Sequence, residues 1–281
     1  MKKTTTVLTS LFAVSLVATL AFSQGSVLLR RDISKEMSQD LTFTTNSKME
    51  MDLSEVGQGM QDITFNTSAK TKVSQVPGED GKAKVTIAYS DVSVRMGGAM
   101  AEQGMGDAPD VPRSFTATAT IDDRNRLSGV QTQGLTRQAA SMLGSASSYQ
   151  YWFIEFPENE VKPGESWNVT LPANREMGME QGTMTVTFVG TKQQGDQEVN
   201  EFRVEGSVPM KMDISEMAGS QGMDITILMS GTMKFGGTTI MDSTNTKIIS
   251  STTSTSGDVN ISAPDMGFSF RGKLSGSSEV K

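Results

Sequence analysis

Residues 63–73 alternate without a break. Ile63, Phe65, Thr67, Ala69, Thr71 and Val73 share one parity, and Thr64, Asn66, Ser68, Lys70 and Lys72 share the other. A period of two cannot lie along one helix face, and it specifies a strand with one buried and one wet side. The same texture returns along most of the chain. Leu41-Phe43-Thr45 leads into Met49-Met51-Leu53, and Phe115-Ala117-Ala119-Ile121 follows later. Met184-Val186-Phe188 alternates too, as do Phe202 to Met212 and Ile225 to Phe235. Between Lys82 and Met96, Ala83, Val85, Ile87 and Tyr89 occupy odd positions and Val92, Val94 and Met96 even ones. That change of phase predicts a β-bulge near Ser90-Asp91. Strands of a dozen or more residues, at about 3.3 Å each, twist and curl into a curved sheet with one concave apolar face.

Turn chemistry punctuates these runs. Pro77-Gly78-Glu79-Asp80-Gly81, Asp122-Asp123-Arg124-Asn125 and Gly195-Asp196 read as hairpin turns. Pro163-Gly164 reads as a type II turn that delivers Trp167 to the start of a strand. Gly97 to Pro112, rich in Gly, Pro and Met, reads as a loop, and the Ser/Thr-rich run Lys247 to Ser256 as an edge or exposed strand. Gly206 and Pro209 mark a bend or an edge. One stretch has helical spacing: Leu135, Ala139, Met142, Leu143, Ala146 and Tyr149 recur on one face between Gly134 and Tyr151. Tyr149, Tyr151, Trp152, Phe153 and Phe156 crowd its end, as packing for a junction.

A motif occurs twice. Met49-Glu50-Met51-Asp52-Leu53-Ser54 is echoed by Met210-Lys211-Met212-Asp213-Ile214-Ser215, and each continues through a Gly-containing break into Asp-Ile-Thr. Each copy reads as strand, Gly loop, strand. The expected fold is therefore mainly β: two related, long-stranded, curved antiparallel sheets, half-barrel-like, with one central helix. The expected divisions are a signal peptide over 1–23, an N-terminal β half over 24–133, a helix and aromatic junction over 134–156, and a C-terminal β half over 157–281.

The first of these rests on Lys2 and Lys3, an apolar run from Leu8 to Phe22, and small residues at Ala21 and Ser23 before Gln24. Such a chain is exported, to the periplasm or beyond, and keeps no membrane-spanning segment once cleaved. Loss of Lys2 and Lys3 moves the net charge from −7 to −9. With no basic stripe to offset it, that surface argues against nucleic acid as a partner.

The chain contains neither Cys nor His. Disulfides, thiolate chemistry, Ser-His-Asp and Cys-His machinery and the usual zinc ligands are thereby excluded. Asp122-Asp123 reads as a solvated turn, and Glu158, Glu160 and Glu165 as an acidic turn near Trp167, so no catalytic or metal residue and no cofactor is expected.

The run Phe156-Pro157-x-x-x-Val161-x-x-Gly164-x-Ser166-Trp167 resembles the hallmark of a family of uncharacterised exported bacterial proteins defined by a domain of unknown function. The resemblance extends to Lys84–Met96, Ser114–Val130 and Gly231–Phe235, and so covers most of the chain from about Glu36 onward. The family has an Asp-x-x-Thr-Gly turn in its last third, where this chain has Asp242-Ser243-Thr244-Asn245-Thr246 without the Gly. The resemblance implies a two-part β-sheet protein of the cell envelope and no activity.

Twenty methionines set the chemistry apart, with Met-x-Met at 49/51, 177/179 and 210/212. Thioethers suit Cu(I), but Met is also the adaptable filler of irregular apolar interiors, and that is the favoured reading. The expected function is non-enzymatic: an envelope protein holding a lipid or other apolar ligand on its concave face. Met49, Met51, Phe65, Met142, Trp152, Phe153, Met210 and Met212 are the expected lining. The alternatives are a purely structural or interaction protein of the envelope, with envelope proteins as partners, and Met-based Cu(I) binding. By architecture the expected half-barrel is similar to those of lipoprotein carriers.

Overall fold

The structure is a computed structural model and describes residues 25–54, 57–102, 111–135, 153–174, 178–213, 215 and 226–281. It is mainly β and antiparallel throughout, as expected, but the two expected sheets are one. Eleven strands form a single sheet in the order β5-β4-β3-β2-β1-β11-β10-β9-β8-β7-β6. They are β1 Met37–Leu53, β2 Gly59–Pro77, β3 Ala83–Gly97, β4 Phe115–Ile121, β5 Leu127–Gln133, β6 Ser166–Leu171, β7 Gly182–Gln194, β8 Gln197–Asp213, β9 Leu228–Asp242, β10 Ile248–Ala263 and β11 Phe268–Val280. Every neighbour in the sheet is also a neighbour in sequence, except at the β1–β11 seam. There Phe43 lies opposite Val280 and Met51 opposite Gly272, which merges the two halves edge to edge. The helix expected over Gly134–Tyr151 lies, beyond Leu135, outside the described residues.

Odd strand number decides how the sheet ends. All ten pairings are antiparallel, so the two outermost of eleven strands, β5 and β6, point the same way. A wholly antiparallel barrel therefore cannot close, and β5 and β6 remain the two edges of the sheet. One end of the sheet, the base, carries the β2–β3, β4–β5, β7–β8 and β9–β10 turns. The opposite end, the rim, carries the β1–β2, β8–β9 and β10–β11 connections.

The base is plugged. Val27 bridges Val161 through paired backbone bonds of 2.8 and 3.0 Å, and Phe156 N–H donates to Arg124 O at 2.8 Å. Trp167 Nε1 donates to Glu155 O at 2.7 Å. The two outer regions of the sheet thus grip the same segment. Beneath it Phe43, Phe156, Phe188, Phe202, Ile154 and Ile121 are buried in one core. Phe202 packs against Phe156, Phe188 and Trp167 with ring centroids at 6.1, 5.7 and 6.4 Å.

Several local expectations meet the structure. The β2–β3 register shifts between Ser68 and Lys70, leaving Asp91 at φ 52° in a bulge where the phase changes. Gly164 takes φ 87°, as its type II turn requires. Residues 97–112 are not wholly loop: Ala99–Glu102 form one helical turn, α1, whose Ala99 N–H donates to Asp62 Oδ1 at 2.9 Å. Pro209 lies inside β8, just beyond the point where β7 begins at Gly182, so its missing N–H breaks no ladder bond on that side. Lys247–Ser256 is not an edge. It enters β10, paired on both sides by β9 and β11, with Ser251, Thr253 and Thr255 facing the concave side and Thr252, Ser254 and Ser256 facing solvent.

Candidate ligand-binding face

The exposure patterns and register assign the concave side of the sheet residue by residue. From the base toward the rim, the row Ala69, Phe43, Val280, Ser251, Thr239 and Phe202 closes the packed core. Thr239 and Ser251 hydroxyls satisfy each other at 2.9 Å. The next row is Thr67, Thr45, Ser278, Thr253 and Gly237, across β2, β1, β11, β10 and β9. Phe65, Ser47, Gly276, Thr255, Phe235 and Gly206 follow. Beyond them the character changes: Ile63, Met49, Leu274, Gly257, Met233 and Val208, then Met51, Gly272, Val259, Gly231 and Met210. Phe270, Ile261, Met229 and Met212 make the outermost row.

Val208, like Phe235 one row below, belongs to the base core, which reaches farther up β8 and β9 than up β1 and β11, while most of the other rim residues form a second apolar cluster. Met51, Leu53, Met210, Met229, Val259 and Ile261 are its buried centre, while Met49, Met212, Ile227, Met233, Phe270 and Leu274 stay partly open. The concave face is therefore filled at its base and only lined at its rim. Glycines keep that lining thin. Phe235 leans over Gly206, where a Cβ would sit 2.3 Å from its ring, and a Cβ on Gly237 would stand 2.0 Å from the Thr252 carbonyl oxygen. No larger residue fits at Gly237 without parting β9 from β10.

Both Met-x-Met-Asp stretches end their strands in the same way. Asp52 Oδ1 accepts Ser54 N–H at 3.0 Å, and Asp213 Oδ1 accepts Ser215 N–H at 3.0 Å, with each Ser hydroxyl donating to the same carboxylate oxygen. These bonds hold Asp52 and Asp213 below the usual carboxylate range, the Ser hydroxyl contributing most. The turns aim the acids outward and leave Met49, Met51, Met210 and Met212 facing in. From the Phe43 row to the rim, no inward-facing position of β1, β2 or β6–β11 carries a charge.

Of the expected lining, Met49, Met51, Met210 and Met212 meet in the rim cluster, and Phe65 lies one row below it. Phe153 does not. It is sealed in the base, 6% exposed, with the Arg31 guanidinium over its ring at 5.6 Å. Met142 and Trp152 lie outside the described residues. Sequence reasoning missed Met229, Met233, Leu274 and Phe270, though their parity was readable, because which strands adjoin β1 and β8 is not.

It also missed the polar centre of the base. Arg31 is 4% exposed. Its Nε donates to Gln75 Oε1 at 2.5 Å, and one terminal nitrogen donates to Asn125 Oδ1 at 3.0 Å and Thr246 Oγ1 at 3.1 Å. Burial lowers its pKa to about 10, so it stays charged at neutral pH with neutral partners only among the described residues. Thr246 takes φ 57°. A β-branched residue in that region costs on the order of 1–3 kcal/mol. Its hydroxyl, accepting from Arg31 and donating to Asn245 O at 2.7 Å, holds it there.

Among the described residues no group of acids, Cys or His is arranged to hold a metal ion, and no helix is long and apolar enough to cross a membrane. A shallow, open trough on the outer face is lined by Thr44, Asn46, Thr238, Thr252, Ser254, Ser277 and Glu279, with no large apolar side chain among them. A scan against models of known families and a search of curated proteins return no match to this chain.

Proposed function

We propose that this protein is a non-enzymatic, exported component of the bacterial envelope that holds an apolar ligand, a lipid, on the concave face of its sheet. The observation that carries this reading is the half-open rim cluster. Six large apolar side chains line an uncharged concave surface and remain only partly buried. Covering apolar surface is worth about 2.5 kcal/mol per 100 Å², and methionine adapts its shape to the ligand that covers it. The N-terminal charge, apolar run and small-residue site support export, and the lack of Cys and His supports a binding role over catalysis.

Native mass spectrometry of protein purified from cells without detergent tests this. Lipid adducts are expected on the wild type, and Met233→Glu, at a half-open position, should remove them with little change in melting temperature. A wild-type protein that keeps no lipid and binds no neutral apolar dye would sink the proposal. Replacing Met210, Met212, Met229 and Met233 by Leu separates it from thioether coordination of Cu(I). Lipid binding should survive that change, whereas a soft-metal site would not.

A further inference from the structure

We infer that the ligand is an uncharged acylglycerol, seated with its glycerol ester on a belt of hydroxyl side chains and its acyl chain along the methionine rim. This rests on the apolar-ligand reading above and adds the head group and its orientation. The belt is the pair of rows between the packed base and the rim. Thr45, Ser278 and Thr253 stand side by side on adjacent strands, with Ser47 and Thr255 in the row above, flanking Gly276.

Three properties of these rows select the chemistry. They are inward-facing yet partly open: Ser47, Ser278, Thr253 and Thr255 are all half-buried, unlike the Thr239–Ser251 pair one row deeper, which is sealed and mutually bonded. Thr45 has its partner within the chain, but among the described residues no bond engages the Ser47, Thr253, Thr255 or Ser278 hydroxyls. Half-buried hydroxyls of this kind gain by meeting ester carbonyls and glycerol hydroxyls, since each both donates and accepts.

The second property is neutrality. Among the described strand residues no inward-facing side chain from the Phe43 row to the rim bears a charge, and the buried guanidinium of Arg31 is engaged in the base by Gln75, Asn125 and Thr246. A phosphate or carboxylate drawn onto this surface would lose water and find no counter-charge, which is costly. The third is order along the strands: packed base, hydroxyl belt, then Met49, Leu274 and Met233. An amphiphile can satisfy both zones only with its head toward the base and its tail toward the rim.

The test uses the full exported protein and displacement of a neutral dye, N-phenyl-1-naphthylamine, by monooleoylglycerol, oleate or dioleoylphosphatidylglycerol. Monooleoylglycerol should compete at least about tenfold better than either charged lipid. In a Ser47→Ala/Thr253→Val/Thr255→Val variant, dye binding should persist while monooleoylglycerol weakens by about tenfold or more. Equal or better competition by a charged lipid overturns the inference, and so does undiminished monooleoylglycerol binding by the variant. Failure of the wild type to bind the dye overturns the apolar-ligand reading instead. Should the variant not fold, the wild-type ranking of the three lipids decides alone.

Discussion

Arg31→Ala should destabilise the protein by roughly 3–5 kcal/mol. Gln75 Oε1, Asn125 Oδ1 and Thr246 Oγ1 would be left facing a void without their donor, and a buried polar atom without a partner costs about 1–3 kcal/mol. The loss would also free Thr246 from the contact that holds its left-handed backbone. Arg31→Lys should fall between wild type and Ala, because an ammonium cannot reproduce the planar fork that serves three acceptors in two directions. Urea denaturation measures the loss, and amide exchange locates it. Residues 27–35 should exchange faster in Arg31→Ala while β8 and β9 keep their protection. A change below about 1 kcal/mol would show that the four residues do not act as a unit.

Phe202→Ala should cost about 3–5 kcal/mol, the usual toll for emptying an aromatic site in a packed core. Phe202 is fully buried and stands at the meeting of three rings, one from the plug (Phe156), one from β7 (Phe188) and one from β6 (Trp167). No neighbour can collapse into the space without breaking the Trp167–Glu155 bond or lifting the plug. Met233→Leu makes the contrast, since it conserves volume at a half-open site and should cost under about 1.5 kcal/mol. If the two variants melt alike, the division of the concave face into a packed base and an open rim is wrong.

How much of this was legible in the sequence follows from the range of each interaction. Parity is local, so the inward faces of β1, β2, β8 and β9 were readable, and the Tyr89-to-Val92 phase change located the bulge. Turn residues are local too, and Pro163-Gly164 and Asp122 to Asn125 turn as read. Strand order is not local. Nothing near Val280 or Phe43 announces that they lie opposite each other, and two halves with internally consistent hairpins therefore read as two sheets. The Arg31 cluster draws one residue each from positions 31, 75, 125 and 246, none of which carries a periodic signal. Ser and Thr in β10 misled for a physical reason: hydroxyls line both of its faces, and the inward ones, Ser251, Thr253 and Thr255, have the composition of an exposed strand.

The seam between β1 and β11 has a consequence in time. Every other pair of neighbouring strands is consecutive in sequence, so two meanders, β1–β5 and β6–β11, can each assemble from nearby contacts. The seam joins residues from opposite ends of the described chain. Closing so long a loop adds little to the equilibrium cost, since each doubling of length adds only about 0.6 kcal/mol, but non-local pairing slows folding steeply. Pulse-labelled hydrogen exchange during refolding should protect β2–β4 and β8–β10 before the facing amides of β1 and β11. Simultaneous protection of all of them would mean that the sheet condenses as one. Otherwise, until that last ladder zips, the folding chain carries two long, unpaired strand edges, and the interval before the seam forms is its most aggregation-prone moment.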